Sequence, residues 1–259
     1  MDFTKIIIQV LESIPWYIVP IVILAAIFKT SWFKGVWGEF IVNMGTKLFL
    51  DKEKYQLIKN VTLPTENGST QIDHIIVSRF GIFVVETKNM KGWIFGSPNQ
   101  KTWTQKIYKH SSKFQNPLHQ NYKHTKTLQS LLALNEEQVF SVIVFVGDST
   151  FKTKMPENVT SGTGYIKYIK SKNQPVLTEI EVKDITSKIE TGRLKPSFKT
   201  NREHVKHVKA IVEKKENTQS CPKCGGEMVI REVKKGQNIG NKFWGCSSFP
   251  KCRGVVNVT

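Results

Sequence analysis

Apolar and polar positions divide the 259-residue chain into stretches of unlike character. Residues 6–28 are mostly apolar, interrupted by Gln9, Glu12 and Ser13, and residues 14–28 carry no charge. In a helix this run is about 34 Å long, enough for a hydrocarbon core of roughly 30 Å. Pro15 and Pro20 would bend it, which a membrane span tolerates better than a soluble helix does. Trp32 and Trp37 follow where headgroups would lie. The expectation is one transmembrane helix within residues 1–30, with a signal peptide or a buried core helix as competing readings. Met1 to Lys5 has no net positive charge, and no small-x-small cleavage site follows the run, which disfavours a signal peptide. Lys29, Lys34 and Lys47 lie beyond the span, so the positive-inside rule puts the bulk of the chain in the cytoplasm. The protein is then a single-pass resident of the cell membrane.

Further along, apolar β-rich runs predict strands at 55–63, 71–78, 82–87 and 141–146. Helical periodicity predicts helices at 36–48 and 117–134. Asn116-Pro117 is a helix start, with Asn as N-cap and Pro at the first helical position. Strands mixed with helices imply an α/β domain over 35–194, within which 158–194 reads poorly. A basic linker, 195–216, has helical character over 201–215 and leads to a small module at 217–259.

Composition narrows the field. Lys and Arg number 38 against 21 Asp and Glu, a net +17, while 39% of residues are hydrophobic and 23% charged. Those fractions exclude global disorder and a polytopic membrane protein. The charge calls for a polyanionic partner, either nucleic acid or an anionic membrane surface. All four cysteines, Cys221, Cys224, Cys246 and Cys252, fall in the terminal module as two short-spaced pairs. Four thiolates in two knuckles complete a closed tetrahedral Zn²⁺ site, structural because no position stays open, in a reducing compartment.

The richest segment is Gln71-Ile72-Asp73-His74 through the turn at Gly81 to Glu86-Thr87-Lys88. Two apolar runs around a short turn make a hairpin. Its antiparallel return brings Asp73 and Glu86 to one end of the sheet, and period two puts Glu86 and Lys88 on one face. Two carboxylates beside a lysine suit Mg²⁺ or Mn²⁺. The same pattern also fits an edge hairpin with a solvated Asp and a Glu–Lys ion pair. His74 points to the opposite face and reads as structural. His124 reads equally as a phosphate contact or a solvated side chain. Trp93 and Trp103, among Lys91, Lys101 and Lys106, read as core before they read as a stacking surface.

Asp73 with Glu86-Thr87-Lys88 resembles the active-site hairpin of the PD-(D/E)XK nuclease superfamily. More narrowly, the run from Gln71 through Gly81-Ile-Phe-Val-Val-Glu-Thr-Lys to Gly92-Trp93 resembles the nuclease-related domain family. Gly38-Glu39 and Asn116-Pro117-Leu118-His119-Gln120 match further motifs of that family, and the likeness covers about residues 35–147. Ile72 stands where the superfamily's name has Pro. The resemblance implies a restriction-endonuclease-like mixed sheet flanked by helices. It makes Glu39, Asp73 and Glu86 metal-site acids for Mg²⁺ or Mn²⁺, Lys88 the catalytic lysine and Gln120 an accessory polar residue, with the Thr87 carbonyl a further ligand. Independently, Gln120 shares a helical stripe with Thr127, Leu128 and Leu131.

Phe243-Trp244-Gly245-Cys246 through Phe249-Pro250-Lys251-Cys252 is similar to the C-terminal zinc ribbons of bacterial type IA topoisomerases, which bind DNA. Lys223, Arg231, Lys242, Lys251 and Arg253 around Phe243, Trp244 and Phe249 suit sequence-tolerant binding through phosphates and stacking. Residues 199–259 hold 13 Lys and Arg against 5 Asp and Glu. The resulting expectation is a membrane-anchored, metal-dependent nuclease acting on nucleic acid, DNA foremost, with no small-molecule cofactor. The alternatives are a non-enzymatic tether that holds nucleic acid through a retired nuclease fold, and a surface for anionic lipid.

Overall fold

Ile75, Ile76, Val77, Ile82, Phe83, Val84 and Val85 are all fully buried, so the central hairpin is covered on both faces. That requires a helical layer on each side. The computed structural model describes Trp16 and residues 18–65, 68–194, 221–234 and 239–257. They form two units, one ending at Leu194 and one holding the cysteines. The linker and its basic helical stretch, 201–215, lie outside the described residues, as do residues 1–15 and 17 of the apolar run.

In the first unit, helices α1 (Ile18–Lys29) and α2 (Ser31–Phe49) meet at a 70° bend. Thr30 caps α2, its hydroxyl accepting the Phe33 amide at 3.2 Å. No single helix among the described residues is long and apolar enough to cross a membrane, although the bent pair passes together on length and composition. The sharp bend falls at Thr30, between the two helices. Strands β1 (Tyr55–Thr65), β2 (Gly68–Ser78) and β3 (Gly81–Lys88) follow. They join β7 (Val139–Phe145) and β9 (Val159–Ser161) in a mixed sheet of order β1-β2-β3-β7-β9. The β2–β3 pair is antiparallel, while β3–β7 and β7–β9 are parallel.

Alternation along the strands splits the core. Ile75, Val77, Ile82 and Val84 pack with Leu128 of α3 (Pro117–Leu132) and with Val182, Ile185 and Ile189 of α5 (Glu179–Gly192). Ile76, Phe83, Val85 and Val144 pack with Val42 of α2 and with Tyr165 and Ile169 of α4 (Gly164–Ser171). The Tyr165 hydroxyl donates to the Val42 carbonyl at 2.9 Å, fastening α4 to α2.

Four strands the sequence reading lacked build a second sheet, ordered β6-β5-β4-β8: β4 (Gly92–Phe95), β5 (Thr102–Ile107), β6 (His110–Gln115) and β8 (Ser149–Phe151). Trp103 is fully buried there, stacked on Phe145 at 6.3 Å, and so belongs to the core. The segment that read poorly supplies β9, α4 and α5. The second unit is a three-stranded antiparallel sheet of β10 (Met228–Glu232), β11 (Lys242–Cys246) and β12 (Val255–Asn257).

Candidate active site and metal centre

The β2–β3 register pairs His74 with Val85, which sets Asp73 beside Glu86 and Thr87 at the end of β3. Asp73 Oδ2 accepts the Thr87 amide at 2.9 Å. Two residues past Glu86 on the same face, Lys88 Nζ donates to Glu86 Oε1 at 2.6 Å and to Gln120 Oε1 at 3.0 Å. Glu86 is only 3% exposed, so the solvated edge hairpin does not describe this end of the sheet.

Gln120 arrives on α3, whose start is fixed by Asn116. The Asn116 carbonyl oxygen accepts the Leu118 amide at 2.9 Å, and its amide group donates to the carbonyls of Ser97, Pro98 and Gln100 at 2.7–3.3 Å. One turn on, Asn121 donates to the Val84 carbonyl and the Ser141 hydroxyl, both at 2.8 Å, bolting α3 across β3 and β7. The inward stripe of α3 is Asn121, His124, Thr125 and Leu128. Gln120 sits half-buried at its margin, and Leu131 is exposed.

His124 was left open by the sequence. It is buried, with Nδ1 2.8 Å from the Thr70 hydroxyl and Nε2 3.5 Å from Glu86 Oε2. Among the described residues, that His124 nitrogen is the polar group facing Glu86 Oε2. The 117, 121, 124, 128 spacing could have flagged His124, but which face of the sheet α3 covers was not legible.

Glu39 comes from the opposite layer. Gly38 lets α2 close on the sheet, since a Cβ there would lie 3.0 Å from Asn89 Cβ and 3.2 Å from Val146 Cγ2. This brings Glu39 to the same sheet end, where its charge acts on Asp73 and that of Glu86 acts on it. The site is accordingly rich in uncompensated negative charge. Burial, then Glu86, raises the Asp73 pKa well above the ordinary carboxylate value, against the Thr87 amide; Glu39 adds to the rise. Burial and the charge of Glu86 likewise raise Glu39. Burial pushes Glu86 up too, but His124 and Lys88 outweigh it and hold Glu86 below the ordinary value. The arrangement gathers hard oxygen donors that a divalent cation would relieve. The three carboxylates do not close as tightly as a metal shell: among the described residues only the four cysteines do so. His74 faces the other way, fully buried against α2, as expected. A cleft of about 660 Å³ opens beside Lys88, lined by Lys34, Trp37, Asn89, Lys91 and Gln105 among others.

The four cysteine sulfurs lie within 4.8 Å of one another, with Cys221–Cys252 at 3.6 Å and Cys224–Cys246 at 3.5 Å. Amides of Lys223 and Cys224 point at Cys221 and pull its pKa down to about 6, favouring the thiolate a metal needs. A Cβ on Gly254 would overlap Cys221 Sγ, so only glycine fits behind that sulfur. This cluster supports a structural Zn²⁺. Of the expected nucleic-acid contacts, Arg231 lies opposite Phe243 in the β10–β11 register, and its guanidinium sits 5.5 Å from the Phe249 ring centroid. Lys223, Lys242, Lys251 and Arg253 are exposed. Trp244, half-buried, also packs against Cys221, Met228 and Cys246 in the ribbon's core.

Two family models match the chain. Residues 34–146 match the nuclease-related domain, and residues 218–259 match the topoisomerase DNA-binding C4 zinc finger, so both sequence resemblances hold. An uncharacterised protein of Bacillus anthracis is 52% identical over 101 residues, 38% of this chain and 47% of that protein. DNA topoisomerase 1 of Methanocaldococcus jannaschii is 55% identical over 104 residues, 38% of this chain and 12% of the enzyme. The uncharacterised protein YrdD of Escherichia coli is 53% identical over 36 residues, 14% of this chain and 17% of that protein. The chain thus spans less than half the length of these curated relatives. No solved structure matches it.

Proposed function

We propose that the protein is a membrane-anchored, metal-dependent nuclease that hydrolyses phosphodiester bonds, DNA being the expected substrate, and that its zinc ribbon holds the nucleic acid nearby. The observation that carries this reading is the junction of Lys88 with buried Glu86 and with Gln120, beside Asp73, inside a nuclease-related domain. Glu39, Asp73 and Glu86 would hold Mg²⁺ or Mn²⁺. Such an ion, when bound, lowers the pKa of a coordinated water and offsets phosphate charge. The fit rests on three carboxylates whose mutual repulsion raises Asp73 and Glu39, and on a Glu86 Oε2 held only by the 3.5 Å contact with His124 Nε2. Lys88, steered by Gln120, presents an ammonium to a phosphate oxygen or to the attacking water. Thr70 and His124 orient Glu86 from behind. The apolar N-terminal run with the bent pair α1–α2 would anchor the chain in the cell membrane. Lys29, Lys34 and Lys47 then keep the rest on the cytoplasmic side.

Purified protein incubated with labelled DNA and RNA under Mg²⁺, Mn²⁺ or EDTA tests the reading. Metal-dependent cleavage is expected, abolished in Asp73→Ala and reduced about 10²-fold or more in Lys88→Ala, with binding retained. Unchanged cleavage in Lys88→Ala would sink the mechanism. Two observations favour a second reading, the non-enzymatic tether: among the described residues the acids do not gather as a metal shell, and Lys88 already pairs with Glu86. Nucleic-acid binding without cleavage under every metal would select it.

A further inference from the structure

The second sheet has two unlike faces. Inward, Ile94, Trp103 and Phe151 pack on Ile143, Phe145 and Val159. The register fixes what lies outward: Trp93 is opposite Lys106 on one side and Thr150 on the other, and Thr104 is opposite Lys113. Lys152 follows β8 directly, and its Nζ is 4.6 Å from the Trp93 ring centroid, with Lys106 Nζ at 6.0 Å.

Trp93 is 48% exposed, whereas Trp103 on the neighbouring strand β5 fills the core completely. Packing therefore accounts for one indole and not for the other. Toward the far end of the outward face lies a depression of about 670 Å³ lined by Lys101, Lys113, Lys154, Thr102 and Thr104, among others. Acids are sparse around this charge, Asp148 just before β8 being the nearest in sequence. None of the four strands contains an Asp or Glu, and from Lys88 to Asn135 the sequence has eight lysines and no acid. A solvated sheet face ordinarily intersperses both signs, because like charges across strands repel.

We infer that this outward face is a platform for a nucleic-acid strand, with phosphates on Lys106, Lys113 and Lys152 and a base stacked on Trp93. The inference deepens the nuclease reading and rests on it for the identity of the strand as substrate. Position supports this: β3 ends at Lys88 and β4 begins at Gly92, while β6 runs through Asn116 into the helix that carries Gln120. A flat sheet bearing one accessible ring among lysines suits single strands, whose bases are free to stack.

The test is fluorescence anisotropy of a labelled thymidine oligonucleotide with the full chain in detergent, in EDTA, across a salt series. The triple variant Lys106→Ala, Lys113→Ala, Lys152→Ala is expected to flatten the slope of log affinity against log salt by about 2, at about 0.7 per lost phosphate contact. Trp93→Ala is expected to weaken binding about tenfold with the slope unchanged. The zinc ribbon supplies a background common to every variant, and all four side chains reach solvent, so thermal melting should not move. Unaltered affinity and slope in the triple variant overturn the platform. So does a triple variant that loses binding to phosphatidylserine vesicles but not to the oligonucleotide, which would assign the face to lipid. EDTA keeps the measurement independent of catalysis. Absent cleavage with the expected binding losses removes the nuclease and keeps the platform; cleavage with unaltered binding does the reverse.

Discussion

Asp73 and His74 are neighbours in sequence that period two sends to opposite layers, and each is perturbed by where it lands. Burial holds the His74 pKa down at about 4, outweighing a backbone hydrogen bond at Glu39. The unfolded chain takes up that proton near the ordinary value of 6.5, the folded one only near 4. Stability should therefore be flat in this respect above pH 6.5 and fall by about 3 kcal/mol as the pH drops to 4. Urea melts across that window check it: His74→Leu should lack this share of the acid sensitivity, and an identical pH profile in the variant would refute it. At this scale the sequence was most informative. Alternation alone put Asp73, Glu86 and Lys88 together, because in a strand the next-but-one residue shares a face whatever else the fold does. His124 escaped, because a histidine on a helix declares nothing until one knows which carboxylate faces it across the layer. The same is true of Thr70, a strand threonine whose partner lies 54 residues away.

Among the elements, α3 shows how one short motif performs several tasks. Asn116 caps the helix and gathers three carbonyls of the loop before β5, so Asn116→Ala loses the cap and strands buried acceptors together. A loss of about 3 kcal/mol is expected in urea unfolding, with Asn116→Asp intermediate because it keeps the cap and not the amide donors. The first, second, third and seventh strands and the two long helices were legible, since their apolar runs are continuous or strongly periodic. The sheet of β4, β5, β6 and β8 was not. Its strands are three to six residues long and rich in Thr, Ser, Gln and Lys, so little alternation survives in the sequence. The α5 helix was missed for a weaker reason. Thr178 and Glu181 form a reciprocal capping box ahead of Val182, Ile185 and Ile189, a signal the sequence carries openly.

For the whole molecule, the separation into two units matters more than any single contact. The ribbon's core amounts to Cys221, Met228 and Cys246 with a few half-buried neighbours, too little to fold without metal. Chelation should unfold the ribbon, visible as a change in Trp244 emission, while the first unit keeps its melting temperature. A common transition for both would contradict that independence. The 70° bend at Thr30 would have a consequence under the proposed membrane anchoring. With α1 along the bilayer normal, α2 lies nearly flat, and Glu39, eight residues along it, rises only about 4 Å above the bend. Its exposed Trp32, Val36, Phe40 and Leu48 would then rest among the headgroups. The proposed active site, approached through Glu39, would then lie near the leaflet, whose negative surface potential decays over a screening length of about 8 Å in physiological salt. On the proposed reading, a polyanionic substrate coming that close would be repelled by the lipid it approaches, and cations on the protein would have to outbid the membrane for every phosphate.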